Sequence, residues 1–219
     1  MNRTNRINQG FTIVQHNVRS WYNKRFELYN TYRLINPDII LLNDTGDCYI
    51  AMPGYRVYKS CKIKDKLHGC GTAIAIRDNI AHYMLDDFET DLIAVKLITV
   101  DGPIIIATDY IAPREGYVHY PDYIKLFSPA IPVYLLGDLN AHHPAICSKD
   151  SQSNPVGRQL VNLIERKNLE VLGPNSTGVR YLTCQVYGYI YMESRVGIMR
   201  PFRGLWDRGR HTQTAVRVN

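Results

Sequence analysis

Short apolar runs separated by polar breaks give this chain its outline. FTIVQHN at 11–17 is rich in strand-forming side chains. A helical period follows from Trp21 to Ile35, with Trp21, Leu28, Tyr32 and Ile35 near one face and Lys24, Arg25 and Asn30 elsewhere. Asn36-Pro37-Asp38 breaks that helix, because proline disfavours helical backbone in the residue before it. The next run, Ile39 to Leu42, is apolar at every position, as a strand covered on both faces would be. Further strands are predicted at 55–59, 72–77 and 93–100, and Asp101-Gly102 signals a hairpin turn into a strand over 104–111. Pro132 to Leu136 reads as another buried strand ending at Gly137. Asn154-Pro155 has the form of a helix start, asparagine as cap and proline in the first turn, with Leu160, Leu163 and Ile164 as the apolar stripe. A short strand over 169–172 closes this part.

Hairpin signals and strand–helix–strand signals both occur, which predicts an α/β fold of packed mixed sheets flanked by helices. After Gly173-Pro174 the character changes. Tyrosines and valines between 177 and 192 could form a strand pair. Residues 193–219 show neither period and are rich in arginine and glycine. The expected division is an ordered domain over 8–176 and a divergent basic tail over 177–219, poorly ordered.

Composition adjusts this outline only where its distribution is uneven. The net charge is +6, but residues 1–194 carry 20 Lys and Arg against 19 Asp and Glu. The rest of the excess sits in the last stretch, as Arg195, Arg200, Arg203, Arg208, Arg210 and Arg217 against Asp207. A globally basic face is therefore not implied; a local stretch (Arg56, Lys59, Lys62, Lys64, Lys66) could meet phosphate or simply be a solvated loop. Five cysteines (Cys48, Cys61, Cys70, Cys147, Cys184) without paired spacing fit a reducing compartment better than a disulfide scaffold. No apolar run approaches the ~20 residues of a spanning helix, and the polar start does not read as a secretory signal.

The candidate chemistry lies where predicted strands end. Asn17 closes the first strand, Asp44 follows the second, and Asp138 and Asn140 follow a later one. Carboxylate and amide oxygens are the ligands a hard cation such as Mg²⁺ prefers. Each residue taken singly also fits ordinary turn chemistry, and only their recurrence after three apolar strands favours a shared cleft.

Several segments carry a family resemblance: IVQHNVRSW at 13–21, NPDIILLNDT at 36–45, GTAIAIRDNI at 71–80, IIIATDYIAP at 104–113, LLGDLNAHHP at 135–144 and NPVGRQLVNLIERKNLEVLGPNS at 154–176. In content and order they resemble the endonuclease/exonuclease/phosphatase superfamily, and within it the endonuclease domain of non-LTR retrotransposons. The resemblance implies a DNase I-like sandwich of two facing mixed sheets with outer helices, incomplete at its C-terminus. It implies Asn17 and Asp44 as holders of a divalent metal, Mg²⁺ or Mn²⁺. Tyr110 would contact the scissile phosphate or the leaving group, Asp138 would lie by the attacking water, and Asn140 would orient phosphate. His142 and His143 would support the GDLN loop.

Two positions depart from the family pattern. Asp44 stands where glutamate is usual, one methylene shorter. The terminal Ser-Asp-His motif has no counterpart; the one later histidine, His211, lies in GRHTQ. The expectation is therefore a metal-dependent, DNA-nicking phosphodiesterase of reduced activity. The alternatives are a non-catalytic remnant that binds nucleic acid weakly and another superfamily branch acting on small phosphoesters. The implied setting is DNA as partner, a reverse transcriptase domain in the parent element, a monomer, and an intracellular, nuclear location without membrane contact. Of the sixteen tyrosines, Tyr117, Tyr120 and Tyr123 in GYVHYPDY could stack on bases, but packing is the expectation for most of them.

Overall fold

The computed structural model describes residues 11–62, 70–146, 152–172, 188–192 and 213–218. In chain order the elements are β1 (Phe11–Asn17), α1 (Trp21–Ile35), β2 (Ile39–Asn43), β3 (Tyr55–Ser60), β4 (Thr72–Arg77), β5 (His82–Leu85), β6 (Ile93–Thr99) and β7 (Gly102–Thr108). They continue with α2 (Tyr120–Leu126), β8 (Val133–Gly137), α3 (Pro155–Lys167), β9 (Glu170–Leu172), β10 (Gly188–Met192) and β11 (Gln213–Val218). One sheet has the order β11-β1-β2-β4-β3 and the other β5-β6-β7-β8-β10-β9. Both are mixed: β1 with β2, and β7 with β8, run parallel, while β2 with β4 and β6 with β7 run antiparallel.

The apolar pattern explains the layering. In β2, Ile39 and Leu41 face the interior between the sheets, where they join Ile13, Ile74 and Ile76 against Ile93, Val95, Leu97, Ile106 and Leu136. Ile40 and Leu42 face the other way and pack with Val14, Ala73 and Ala75 under Trp21, Leu28 and Tyr32 of α1. The second sheet likewise buries Ala94, Ile105, Ala107 and Leu135 beneath Tyr123 and Leu126 of α2 and Val156, Leu160 and Leu163 of α3. The result is helix, sheet, sheet, helix.

Most expected elements form within a residue or two of their expected ends. At the hairpin, Thr99 pairs with Gly102, so the two loop residues are Val100 and Asp101, and Gly102 opens β7 at φ 115°. At the end of α1, Ile35 is 38% exposed and Thr31 takes a buried place instead, since Asn36 turns left-handed at φ 54° and ends the helix there. The sequence pattern gave no notice of β5 or of the short α2.

Two strands lie within 177–219. Gly188–Met192 is strand β10, inserted parallel between β8 and β9, and Gln213–Val218 is strand β11, antiparallel to β1. Backbone pairing does not require the side-chain periodicity that was sought there, and the open edges beside β1 and β8 offer ladder partners. The other residues of that stretch, including His211 and Cys184, lie outside the described residues, as do Lys64, Lys66 and Cys147.

Candidate active site

Parallel pairing brings four strand ends to one edge of the sandwich: β1 and β2 from one sheet, β7 and β8 from the other. Side chains from these ends cross the gap. Asn17 Nδ2 donates to Asp138 Oδ2 at 2.6 Å, joining residues 121 apart in sequence. Asn43 is fully buried and ties both sheets together. Its Oδ1 accepts from Gln15 Nε2 at 2.6 Å and from the backbone N–H of Asp138 at 3.2 Å. Its Nδ2 donates to Thr108 Oγ1 at 3.0 Å and to the Asp109 carbonyl at 3.1 Å. The buried amide thus has partners on every polar side, as a dry interior demands.

On the first sheet the loops after β1 and β2 are joined by backbone. Val18 N–H donates to Asn43 O, Ser20 N–H to Asp44 O and Trp21 N–H to Thr45 O. Arg19, Ser20 and Asp44 all have positive φ, at 47°, 83° and 55°. Aspartate tolerates the left-handed region better than most side chains, which suits position 44. The half-buried Asp44 carboxyl is pushed upward first by burial and then by the charge of Asp138. Arg19, Lys24 and a hydrogen bond from the Cys70 backbone pull it the other way.

On the second sheet the contacts are closer. Gly137 lies against β7 so tightly that a Cβ would meet the Asp109 carbonyl oxygen at 2.1 Å. Tyr110 and Asp138 form an isolated parallel bridge beyond the ends of β7 and β8. Tyr110 is largely buried; burial, then Asp44, Asp138 and Glu115, push its phenol upward and keep it protonated at neutral pH. Asn140, at φ 46°, gives one amide N–H to Ile111 O at 2.9 Å, and its carbonyl accepts from Asn154 Nδ2 at 2.7 Å. Asn154 also caps α3, accepting from Gly157 N–H at 2.7 Å, and its Oδ1 takes the His142 N–H at 3.1 Å. One asparagine therefore starts a helix and pins the loop that follows Asp138. A Cβ at Gly157 would meet the His142 carbonyl at 2.1 Å, so α3 sits directly on this loop. His143 Nδ1 accepts from Ala145 N–H at 3.1 Å.

The five residues singled out in the sequence thus come to one edge: Asn17 and Asp138 in contact, Tyr110 bridging to Asp138, Asp44 within the field of both, and Asn140 one turn beyond. His142 and His143 lie in the adjoining loop. Asn43 and Asp109 were missed. Asp109 is buried behind Tyr110, its Oδ1 accepting from Tyr110 N–H and its Oδ2 from Tyr123 O–H, each at 2.8 Å. Burial above all pushes its carboxyl up to about 7. A polar residue ending an apolar run was the available signal in both cases, and it was followed one position too late.

No protein-family model and no curated protein matches the chain. Among solved structures, the chain is similar to the endonuclease domain of TRAS1, a telomere-specific non-LTR retrotransposon, at 20% identity over 72% of each chain with a TM-score of 0.59. The fold is DNase I-like. Weaker likenesses include an AP endonuclease from Archaeoglobus fulgidus (17% identity, 70% of each chain, TM-score 0.43). Another is a 3′-5′ exonuclease from Neisseria meningitidis (18%, 70% of each chain, 0.44).

Within this DNase I-like frame a divalent cation can be tested against the donors present. Among the described residues no group of three or more His, Cys, Asp and Glu is placed to hold a metal. What stands at the site is a lean oxygen set, the Asp44 and Asp138 carboxylates and the Asn17 amide, whose Oδ1 meets only the Arg19 N–H at 3.2 Å among the hydrogen bonds described. The charge of Asp138 disfavours ionised Asp44, and a nearby cation would relieve that. Mg²⁺ keeps several waters and needs few protein ligands, so the set fits it. Of the basic stretch, Lys59 pairs with Asp47 at 3.3 Å and Lys62 Nζ donates to the Phe88 carbonyl. Among the described residues no helix is long and apolar enough to cross a membrane.

Proposed function

We propose that this chain cleaves phosphodiester bonds in DNA with the help of Mg²⁺ or Mn²⁺. The observation that carries the reading is the convergence of Asn17, Asp44, Tyr110 and Asp138 from four strand ends at one edge of a DNase I-like sandwich. Asp44 and Asn17 would hold the cation, which when bound supplies positive charge against the charge that grows on the phosphate and the leaving oxygen.

The chain's own groups supply the rest. Asp138 has one carboxylate oxygen fixed by Asn17, and it orients a water and takes up its proton as the water oxygen bonds to phosphorus. Tyr110, protonated at neutral pH, donates to a phosphate oxygen, and Asn140 has a second amide N–H free of the Ile111 contact for another. The bond to the leaving oxygen then breaks, and that oxygen is protonated from solvent. No Ser-Asp-His run is among residues 1–219, and a missing positioned acid–base group costs ~10²–10⁴-fold in rate.

Relaxation of supercoiled plasmid by the purified protein tests this reading. Slow nicking that requires Mg²⁺ or Mn²⁺ and disappears in Asp138→Ala is expected. Nicking of equal rate in both proteins would assign the activity to a contaminant and remove the proposal.

A further inference from the structure

The outer face of α1 carries a stripe that packing does not use. Tyr22, Arg25, Phe26, Tyr29 and Arg33 follow one another at helical spacing along one side, without an acid among them. Tyr22 is 65% and Phe26 71% exposed, and the Arg25 guanidinium lies 4.4 Å and 4.6 Å from their ring centroids. Tyr29 is half-buried, edge-on to Trp21, with its hydroxyl on the Ala51 carbonyl and within electrostatic reach of Arg25 and Tyr49. Tyr49, from the loop after β2, is 88% exposed. From Tyr22 to Arg33 the stripe runs about 16 Å along the helix.

This patch begins where the candidate site ends. The first turn of α1 is tied by backbone to Asp44 and Thr45, and Arg19 and Lys24 lie within electrostatic reach of the Asp44 carboxyl. We propose that the outer face of α1, with Tyr49, is a stacking surface for unpaired bases of the DNA strand that leaves the active site. The inference rests on the reading of that site as one for DNA. Flat rings offer faces to any base, and arginines between them meet the phosphates of the same strand. Charge and position together favour a nucleic-acid strand over an apolar partner: the stripe sets two arginines among three rings, and the start of its helix is bonded to the loop that carries Asp44.

The test is fluorescence anisotropy with a labelled single-stranded DNA 20-mer and with the duplex of the same sequence, on full-length protein carrying Asp138→Ala. Adding Tyr22→Ala and Phe26→Ala is expected to weaken single-strand binding ~10–100-fold, duplex binding changing less than about threefold, with the salt slope unchanged. Arg25→Gln is expected to lower the single-strand salt slope by about 0.7. Tyr49→Ala, outside the helix, is expected to weaken single-strand binding about tenfold and guards against a helix that fails to fold. Unchanged single-strand affinity in both aromatic variants, or equal loss on single strand and duplex, overturns this inference and leaves the cleavage reading intact. A parent protein that binds neither DNA overturns both. Self-association in sedimentation that Phe26→Ala abolishes would assign the patch to a second copy of the chain and likewise overturn it.

Discussion

The two flanks of the candidate site are built differently. On the Asp138 flank, backbone presses on backbone: Gly137 against Asp109, Tyr110 bridged to Asp138, and the following loop pinned by Asn140, Asn154 and the start of α3. On the Asp44 flank, two loops are joined by hydrogen bonds through residues of left-handed backbone, and a half-buried carboxyl is caught between burial, Asp138 and two cations. The difference separates two tasks. On the proposed reading, the first flank would fix where a phosphate and a water lie, and the second would keep charge available for an ion.

The sharpest way to break that contrast is Gly137→Ala. Its Cβ would overlap a main-chain oxygen, which cannot rotate away, so a cost of about 3 kcal/mol and a Tm lower by ~6–12 °C are expected, with loss of nicking. A Tm within 2 °C of the parent would show that the Asp138 flank yields easily. Asn43→Ala comes next. It strands the Gln15 amide, the Asp138 N–H and the Asp109 carbonyl in a dry interior, at a cost of about 2–3 kcal/mol in denaturant unfolding. Because it loosens the joint between the flanks, nicking should fall more than stability alone explains.

The last effect is a pH dependence behind the Asp138 flank. Asp109 has its carboxyl raised to about 7 in the folded chain against ~3.9 when unfolded. The folded state therefore holds that proton more tightly. Its contribution is fully present below about pH 4 and is lost as pH rises through about 7. Asp109→Asn removes this dependence, so relative to the parent it should gain stability between pH 5 and pH 8, read as a Tm difference that grows with pH. A constant difference would mean that Asp109 is ionised throughout.

Much of this was legible in the chain. Ile39 to Leu42 announced a strand covered on both faces, and Asn154-Pro155 a capped helix, because burial and capping act through neighbouring residues. The edge where Asn17, Asp44, Tyr110 and Asp138 meet could be expected from polar residues after apolar strands, once the family resemblance had been noticed. Asn43 could not. It reads as the last residue of a strand, and only the arrival of Thr108 and Asp138 from another sheet turns it into a joint. Strands β10 and β11 were hidden for a similar reason, since their ladders belong to β8, β9 and β1, far away in sequence. Tyr123 and Tyr120 follow the packing expectation, Tyr123 buried with its hydroxyl on Asp109 and Tyr120 bonded to the Gln159 carbonyl.

Asn43 has a further consequence. The groove between the sheets is spanned by an amide, which neither gains nor loses a proton across the range in which proteins stay folded. Carboxylates in that place would repel or protonate as acidity changed, and the two sheets would drift apart or together with them. A neutral clasp gives this join between the sheets no charge of its own to gain or lose between pH 5 and pH 9.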